Sequence, residues 1–187
     1  MTRRLGVIAE DQSDIDVLDQ VIQKIAKRGF RIQKFVGNGC GRIHGKCRSW
    51  AENLRRQGCD LLVLLHDLDT KNLVDLGQSI HNALNPSPIP SHIVVIPVHE
   101  LEAWLLADHD AIVRALKLRK KIKQIPNPEA ILRPKEYLRD LVYQRSQKTI
   151  RYINTVHNKQ IAGKVSVSNL RRCPSFVPLE KFAKAHL

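Results

Sequence analysis

The stretch DLLVLLHDLD, residues 60–69, decides how the rest of the chain is read. Five large aliphatic residues in a row, Leu61 to Leu65, are too few for a helix and do not alternate with polar ones, so they form a strand of a parallel sheet covered on both faces. HIVVIPV at 92–98 and RLGVIAE at 4–10 have the same character, and FRIQKFV at 30–36 alternates like a half-buried strand. Between these runs lie helical patterns. Ile15, Leu18, Val21, Ile22 and Ile25 recur at helical spacing, with Ser13 as the expected N-cap. SWAENLRRQG at 49–58 predicts a helix ending at Gly58, residues 73–84 predict another, and HELEAWLLADHDAIVRAL at 99–116 predicts a third. The glycine-rich GNGCGRIHGK at 37–46 reads as a break. Strand and helix alternate throughout, which predicts an α/β fold with a doubly wound, mainly parallel sheet and right-handed crossovers.

After Leu118 the pattern changes. LRKKIKQIPNPEAILRPKE is basic and broken by Pro126, Pro128 and Pro134, and short helices are expected at YLRDLVYQR, near TVHNKQIAG, and at LEKFAKAHL. Residues 1–118 are therefore expected to form the α/β domain, and 119–187 a basic helical C-terminal extension packed on it. Charge divides the same way. The net charge of the 187 residues is +13, but Met1 to Asp110 carries 13 basic and 14 acidic residues, whereas Ala111 to Leu187 carries 18 basic and 4 acidic. Such asymmetry points to a polyanion-facing portion beside one that uses its carboxylates otherwise. The 43% hydrophobic content excludes wholesale disorder, and no apolar run approaches the roughly 20 residues of a membrane span. The N-terminus lacks a signal-peptide core, so a soluble cytoplasmic protein with no membrane partner is expected. Cys40, Cys47, Cys59 and Cys173 form no CxxC pair, and Cys40, His44 and Cys47 lack a fourth zinc ligand.

The acids of the first part fall at element ends. Glu10 closes the first strand with Asp14 four residues on, Asp67 and Asp69 close the third, and Glu100 and Glu102 follow the fourth. Ligands of open α/β sheets bind outside the carboxyl ends of the strands. Six carboxylates gathered there repel one another and call for a divalent cation, and oxygen ligands suit Mg2+ or Mn2+. Strand alternation turns Asp67 and Asp69 the same way, and Glu100 and Glu102 likewise if the strand conformation persists that far. For each acid taken singly, a turn or helix-capping role is the competing reading.

The motifs VIAEDQSDIDVL with Glu10, and LLVLLHDLD with Asp67 and Asp69, in this order in an α/β chain, resemble the TOPRIM domain of topoisomerases, primases, small RNA-maturing nucleases and OLD-family nucleases. Asp14 and the pair in HELEAWLLAD are closer to the OLD-type subgroup. With CPSF at 173–176, the whole is similar to a family of TOPRIM-related bacterial proteins of about this length, and the resemblance covers most of the chain. Position 11 departs from it, holding Asp where many TOPRIM proteins have Gly. The resemblance implies Mg2+- or Mn2+-dependent phosphodiester hydrolysis on DNA or RNA, phage defence, and an ABC-type or AAA-type ATPase partner. Asp67 and Asp69 would hold one metal, with Glu10 completing its shell or acting as base toward water, and Asp14, Glu100 and Glu102 would support a second. Glu10, Asp67 and Asp69 are thus the candidate catalytic residues. A cation is wanted to neutralise developing charge, and Lys46, Lys71 and Lys164 are its candidates.

Nucleic acid is the expected partner of the basic part. Arg119, Lys120, Lys121 and Lys123 in LRKKIK, with Arg145, Lys148, Arg151, Lys159, Lys164, Arg171 and Arg172, are suited to phosphates without reading sequence. Arg42 and Lys46 in the glycine-rich stretch join them as backbone contacts. That stretch fails the P-loop pattern, since Cys40 stands where the first Gly should be and Cys47 follows Lys46. His66-Asp67 lacks the partners of an HD phosphohydrolase, His99 reads as a structural histidine, Trp104 as core, and CPSF as a turn with Phe176 buried. Nine aromatic residues give little support to base stacking. Two other classes remain open: a non-catalytic nucleic-acid-binding or regulatory subunit with the same fold, and a small-molecule phosphotransferase or phosphatase.

Overall fold

A computed structural model describes residues 2–37 and 40–187, with the side chain of Cys40 outside the description. Four strands, β1 (Arg3–Ala9), β2 (Phe30–Val36), β3 (Leu61–Leu65) and β4 (Ser91–Val95), form one sheet in the order β2-β1-β3-β4 with every pairing parallel. The apolar run of β3 is buried at every position. Its alternation sorts the two cores: Leu61, Val63 and Leu65 face one side with Leu5, Val7 and Ala9 of β1, while Leu62 and Leu64 face the other with Ile8. The chain leaves β1 toward β2 and returns past it to β3, so the direction of winding switches between β1 and β3, where open α/β sheets form their crevice.

Helix α1 (Gln12–Ile25) covers the first face with α4 (Glu102–Leu106), α5 (His109–Leu116) and helices of the C-terminal part; α2 (Cys40–Arg56) and α3 (Leu73–Leu84) cover the second. Beyond α5, residues 117–127 hold no helix or strand but are pinned by buried Leu118, Ile122 and Ile125. Then come α6 (Pro134–Arg145), α7 (Asn154–Ala162), a short α8 (Val167–Leu170) and α9 (Val177–His186). Leu138, Val142, Ile161, Phe176 and Leu179 share one core with the strands, so residues 119–187 pack on the sheet's helical layer. No helix among the described residues is long and apolar enough to cross a membrane.

Three local expectations are corrected. Asp11, not Ser13, caps α1: its side chain accepts from the Ser13 and Asp14 backbone N–H groups, and Asp14 returns a bond to the Asp11 N–H at 3.0 Å. This reciprocal capping box satisfies backbone donors that a serine one turn inside could not reach. Helix α2 begins at Cys40, so Arg42 and Lys46 lie on its exposed side rather than in a loop, while Asn38 and Gly39 of the expected break lie outside the described residues. Ile43, Cys47, Ala51 and Leu54 bury one face of α2, and that burial outweighs the roughly 1 kcal/mol cost of a glycine such as Gly45. The helix expected over 99–116 is two helices. Asp108 interrupts it by accepting the Ala111 N–H at 3.0 Å and the Ser166 N–H at 2.8 Å, which turns α5 away from α4.

Candidate functional site

The end of β1 and the end of β3 are neighbours, so Glu10 and Asp67 emerge side by side at the switch point. Carrying the alternation of β3 past its end sends His66 toward the α2 face and Asp67 toward α1 and α4. Asp67 there lies within the electrostatic reach of Asp14 from the first turn of α1 and of Glu102 from the start of α4. Burial, then the charges of Asp14, Glu102, Glu10 and Asp69, hold the Asp67 carboxyl well above the usual carboxylate range. Asp14 is raised likewise by burial and by Asp11, Glu102 and Glu10. Glu102 is 3% exposed, and burial raises it too, against the opposing pull of Lys135 and of a hydrogen bond from Asn158.

Glu10, Asp14, Asp67 and Glu102 are therefore the acids the fold draws together. Asp69 and Glu100 stand at the rim. Asp69 takes a left-handed backbone, φ 51°, faces an equally left-handed His99, φ 60°, and pairs with Lys71 at 3.5 Å. The Asp69 N–H donates to the His99 carbonyl at 2.8 Å, and His99 Nδ1 lies 3.2 Å from the Asp69 carbonyl, which makes His99 a clamp on this turn. Asp67 and Asp69 thus do not point into one place. Glu100 Oε2 accepts the Lys135 backbone N–H at 2.8 Å, capping the start of α6. Among the described residues no three His, Cys, Asp or Glu side chains converge closely enough to hold a metal ion as they stand.

Several donors fix the acids. The Leu101 N–H donates to Asp67 Oδ1 at 3.0 Å. His66, with no exposed surface, places Nδ1 2.7 Å from the Asp67 carbonyl and 3.0 Å from Glu10 Oε1, while the His44 ring packs edge-on against it at 5.5 Å. The contact with Glu10 lacks hydrogen-bond geometry, so Glu10 Oε1 and His66 Nε2 are both buried without a hydrogen-bond partner. Such atoms cost free energy unless something else meets them.

The C-terminal part supplies what sequence reading missed. Asn158 Nδ2 donates to Glu102 Oε1 at 3.1 Å, and the Tyr152 hydroxyl donates to Asn158 and faces Glu102 Oε1 at 3.4 Å, with both residues buried. Burial and the adjacent Glu102 push the Tyr152 hydroxyl far above its ordinary range, so it stays a donor. Asn154 Nδ2 donates to Asp11 Oδ2 at 3.2 Å. Lys135 adds positive charge beside these acids: burial alone would lower its amine, but Glu102, Asp11, Glu100 and Asp14 hold it above the ordinary lysine value. Nothing in the local sequence distinguishes these residues from solvated neighbours; α1 and α7 run side by side in the same direction, and that packing brings them in.

Other expected contacts are placed elsewhere. Lys164 lies at the far end of α1, where Lys24 binds the Gly163 and Val165 carbonyls, about 20 Å along a 14-residue helix from Asp11, so it is no neutralising cation for this cluster. Arg171 grips Glu180, Nη2 to Oε1 at 2.7 Å, and Arg172 holds the Ala107 carbonyl at 2.8 Å and those of Ile125 and Pro126; both are structural rather than phosphate contacts. Arg145 is half-buried, with Nε lacking a partner. Arg42, Lys46, Arg119, Lys120, Lys121, Lys123, Lys148 and Arg151 are exposed. Trp104 is core, donating to Ser175 Oγ at 2.8 Å and packing edge-on against Phe176 at 5.4 Å. Burial pushes the Cys173 thiol up to about 12, so it stays protonated and unreactive.

No curated protein and no solved structure matches the chain. The family model described as Domain of unknown function (DUF4276) matches residues 9–182, a span that contains every acid of the cluster and the C-terminal residues that hold them, and the chain belongs to that family.

Proposed function

We propose that the chain is a nuclease of TOPRIM type, hydrolysing phosphodiester bonds of DNA or RNA with Mg2+ or Mn2+, and serving in cytoplasmic phage defence with an ABC-type or AAA-type ATPase partner. The observation that carries this reading is the gathering of Glu10, Asp14, Asp67 and Glu102 at the switch point of a parallel sheet, with Asp14 and Asp67 raised by burial and by neighbouring carboxylates and Glu102 raised by burial. A divalent cation fits this donor set. All the donors are hard oxygens, Glu10 Oε1 is buried without a hydrogen-bond partner, and a bound positive charge would relieve the repulsion.

Asp67, Glu10 and Asp14 are the residues that would hold it, with Glu102 and Asp69 beside them. The ion supplies polarisation of a phosphate oxygen and activation of water. The chain does the rest. Glu10 Oε1, which has no hydrogen-bond partner and lies 3.0 Å from His66 Nδ1, is placed to accept a proton from the attacking water. Asn158 and Tyr152 hold Glu102 in one orientation, and Leu101 does so for Asp67. Lys135 brings positive charge to these acids and would serve to neutralise developing phosphate charge, the role for which sequence offered Lys46, Lys71 and Lys164.

Wild-type protein, alone and with the ATPase, is expected to cut labelled DNA or RNA when Mg2+ or Mn2+ is added and not in chelator. Glu10→Ala and Asp67→Ala should abolish cleavage while circular dichroism stays native. Absence of cleavage under all these conditions refutes the nuclease. The alternative of a non-catalytic nucleic-acid-binding or regulatory subunit draws on the lack of converged metal geometry among the described residues; it predicts binding that ignores chelator and the loss of Asp67.

A further inference from the structure

Two recesses lie between α6 and the segment that leads into α7. One, of about 330 Å3, is lined by Lys135, Glu136, Arg139, Tyr152, Ile153 and Asn154. The other, of about 410 Å3, shares Arg139, Tyr152 and Ile153 with it and continues along Asp140, Tyr143 and Arg151. Three shared residues join them into one track, and its lining residues Lys135, Tyr152 and Asn154 touch or face Glu100, Glu102 and Asp11. The chemistry of its walls is mixed in a specific way. Lys135 and Arg151 provide positive charge, Arg139 shares its charge with Asp140 at 3.1 Å, and Glu136 is engaged by Arg133 at 3.2 Å. Between the charges lie apolar side chains that the fold leaves uncovered: Tyr143 is 39% exposed and Ile153 52% exposed.

We infer that this track binds a single-stranded nucleic acid and leads it to the carboxylates, with a base laid on Tyr143 and Ile153 and the backbone phosphates along Arg151, Arg139 and Lys135. A duplex offers such a surface only its phosphates, because its bases are stacked inside; an unpaired strand can splay bases onto apolar walls while its phosphates meet the cations. Aromatic residues are scarce in the sequence, and Tyr143 becomes a platform only because α6 and the 146–153 turn place it beside Arg139 and Arg151. The inference rests on the nuclease reading for its destination but not for its contacts.

The test is binding in chelator, where cleavage plays no part. Fluorescein-labelled strands of roughly 12 nucleotides, one DNA and one RNA, and a duplex of the same sequence are titrated with protein and followed by anisotropy. Tyr143→Ala is expected to weaken binding of at least one single strand by about fivefold or more and to leave the duplex within about twofold, whereas Tyr143→Phe retains wild-type affinity. Loss of Lys120 and Lys121 on the remote basic segment should weaken strand and duplex alike. Unchanged affinity of both single strands for Tyr143→Ala, an equal loss for the duplex, or a Phe variant as weak as the Ala variant would overturn the inference. Single-strand binding that depends on Tyr143 without any metal-dependent cleavage leaves the track standing and refutes the nuclease. Cleavage of single strands with unaltered KM in Tyr143→Ala refutes the track and leaves the nuclease standing.

Discussion

Removing the Asn158 amide tests the claim that the C-terminal part builds the site rather than merely covering it. Asn158 has no exposed surface, donates to Glu102 Oε1 at 3.1 Å and accepts the Tyr152 hydroxyl. A hydrogen bond to a carboxylate contributes about 1.5–3 kcal/mol and a neutral one about 0.5–1.5 kcal/mol. Tyr152 can turn its hydroxyl fully to Glu102, now 3.4 Å away, and recover part of the loss. Asn158→Ala is therefore expected to cost about 2–3 kcal/mol, a fall in Tm of roughly 4–12 °C for a chain of this length. Differential scanning calorimetry measures this directly. A cycle with Tyr152→Phe should show a coupling of at least about 0.5 kcal/mol, because the two side chains share one partner. Tm within about 2 °C of wild type, with no coupling to Tyr152, would mean that Glu102 is held by something else and the reasoning is wrong.

Two further outcomes follow from the charges. Asp14, Asp67 and Glu102 titrate above their unfolded values in the folded chain, so the penalty of ionising them is absent in acid and grows as pH rises from the ordinary carboxylate range through the raised values; Asp67→Asn should raise Tm at pH 7–8 in chelator, and the gap should close on titrating down toward the unfolded value near 3.9. A variant no more stable than wild type at neutral pH contradicts the repulsion argument. Glu180 has the opposite sign: Arg171 and Lys184 hold it at about 2, below its ordinary 4.5, so its stabilisation is present above 4.5 and is lost as pH falls toward 2. Glu180→Gln should lower Tm by a few degrees at pH 6 and converge on wild type near pH 2, as read in parallel thermal melts; equal offsets at both pH values would refute the pairing.

The continuous apolar runs of β1 and β3, the acids at their ends and the amphipathic stripe of α1 are local patterns, and each strand and the sheet's parallel character were legible from them; of the six acids read at the strand ends, which four the fold gathers and which two, Asp69 and Glu100, it leaves at the rim was not. Capping was less so. Asp11 and Ser13 are equally good cap residues, and only the geometry of the chain leaving β1 chose Asp11. The interruption at Asp108 was hidden because the partner that draws the carboxylate out of the helix, the Ser166 N–H, lies 58 residues away.

A count of lysines and arginines could say that the C-terminal part is basic, but not which cations are free. Arg171 and Arg172 are consumed by Glu180 and by backbone carbonyls, whereas Lys135 stands among acids, and the difference depends on packing between elements distant in sequence. The strands and the carboxylates at their ends were set by neighbours a few residues apart, within reach of periodicity and spacing. The donors that hold those carboxylates, and the tyrosine and arginines that line the track toward them, were set by α6 and α7 docking beside α1 and α4, and burial of side chains between them determines which polar groups face the acids.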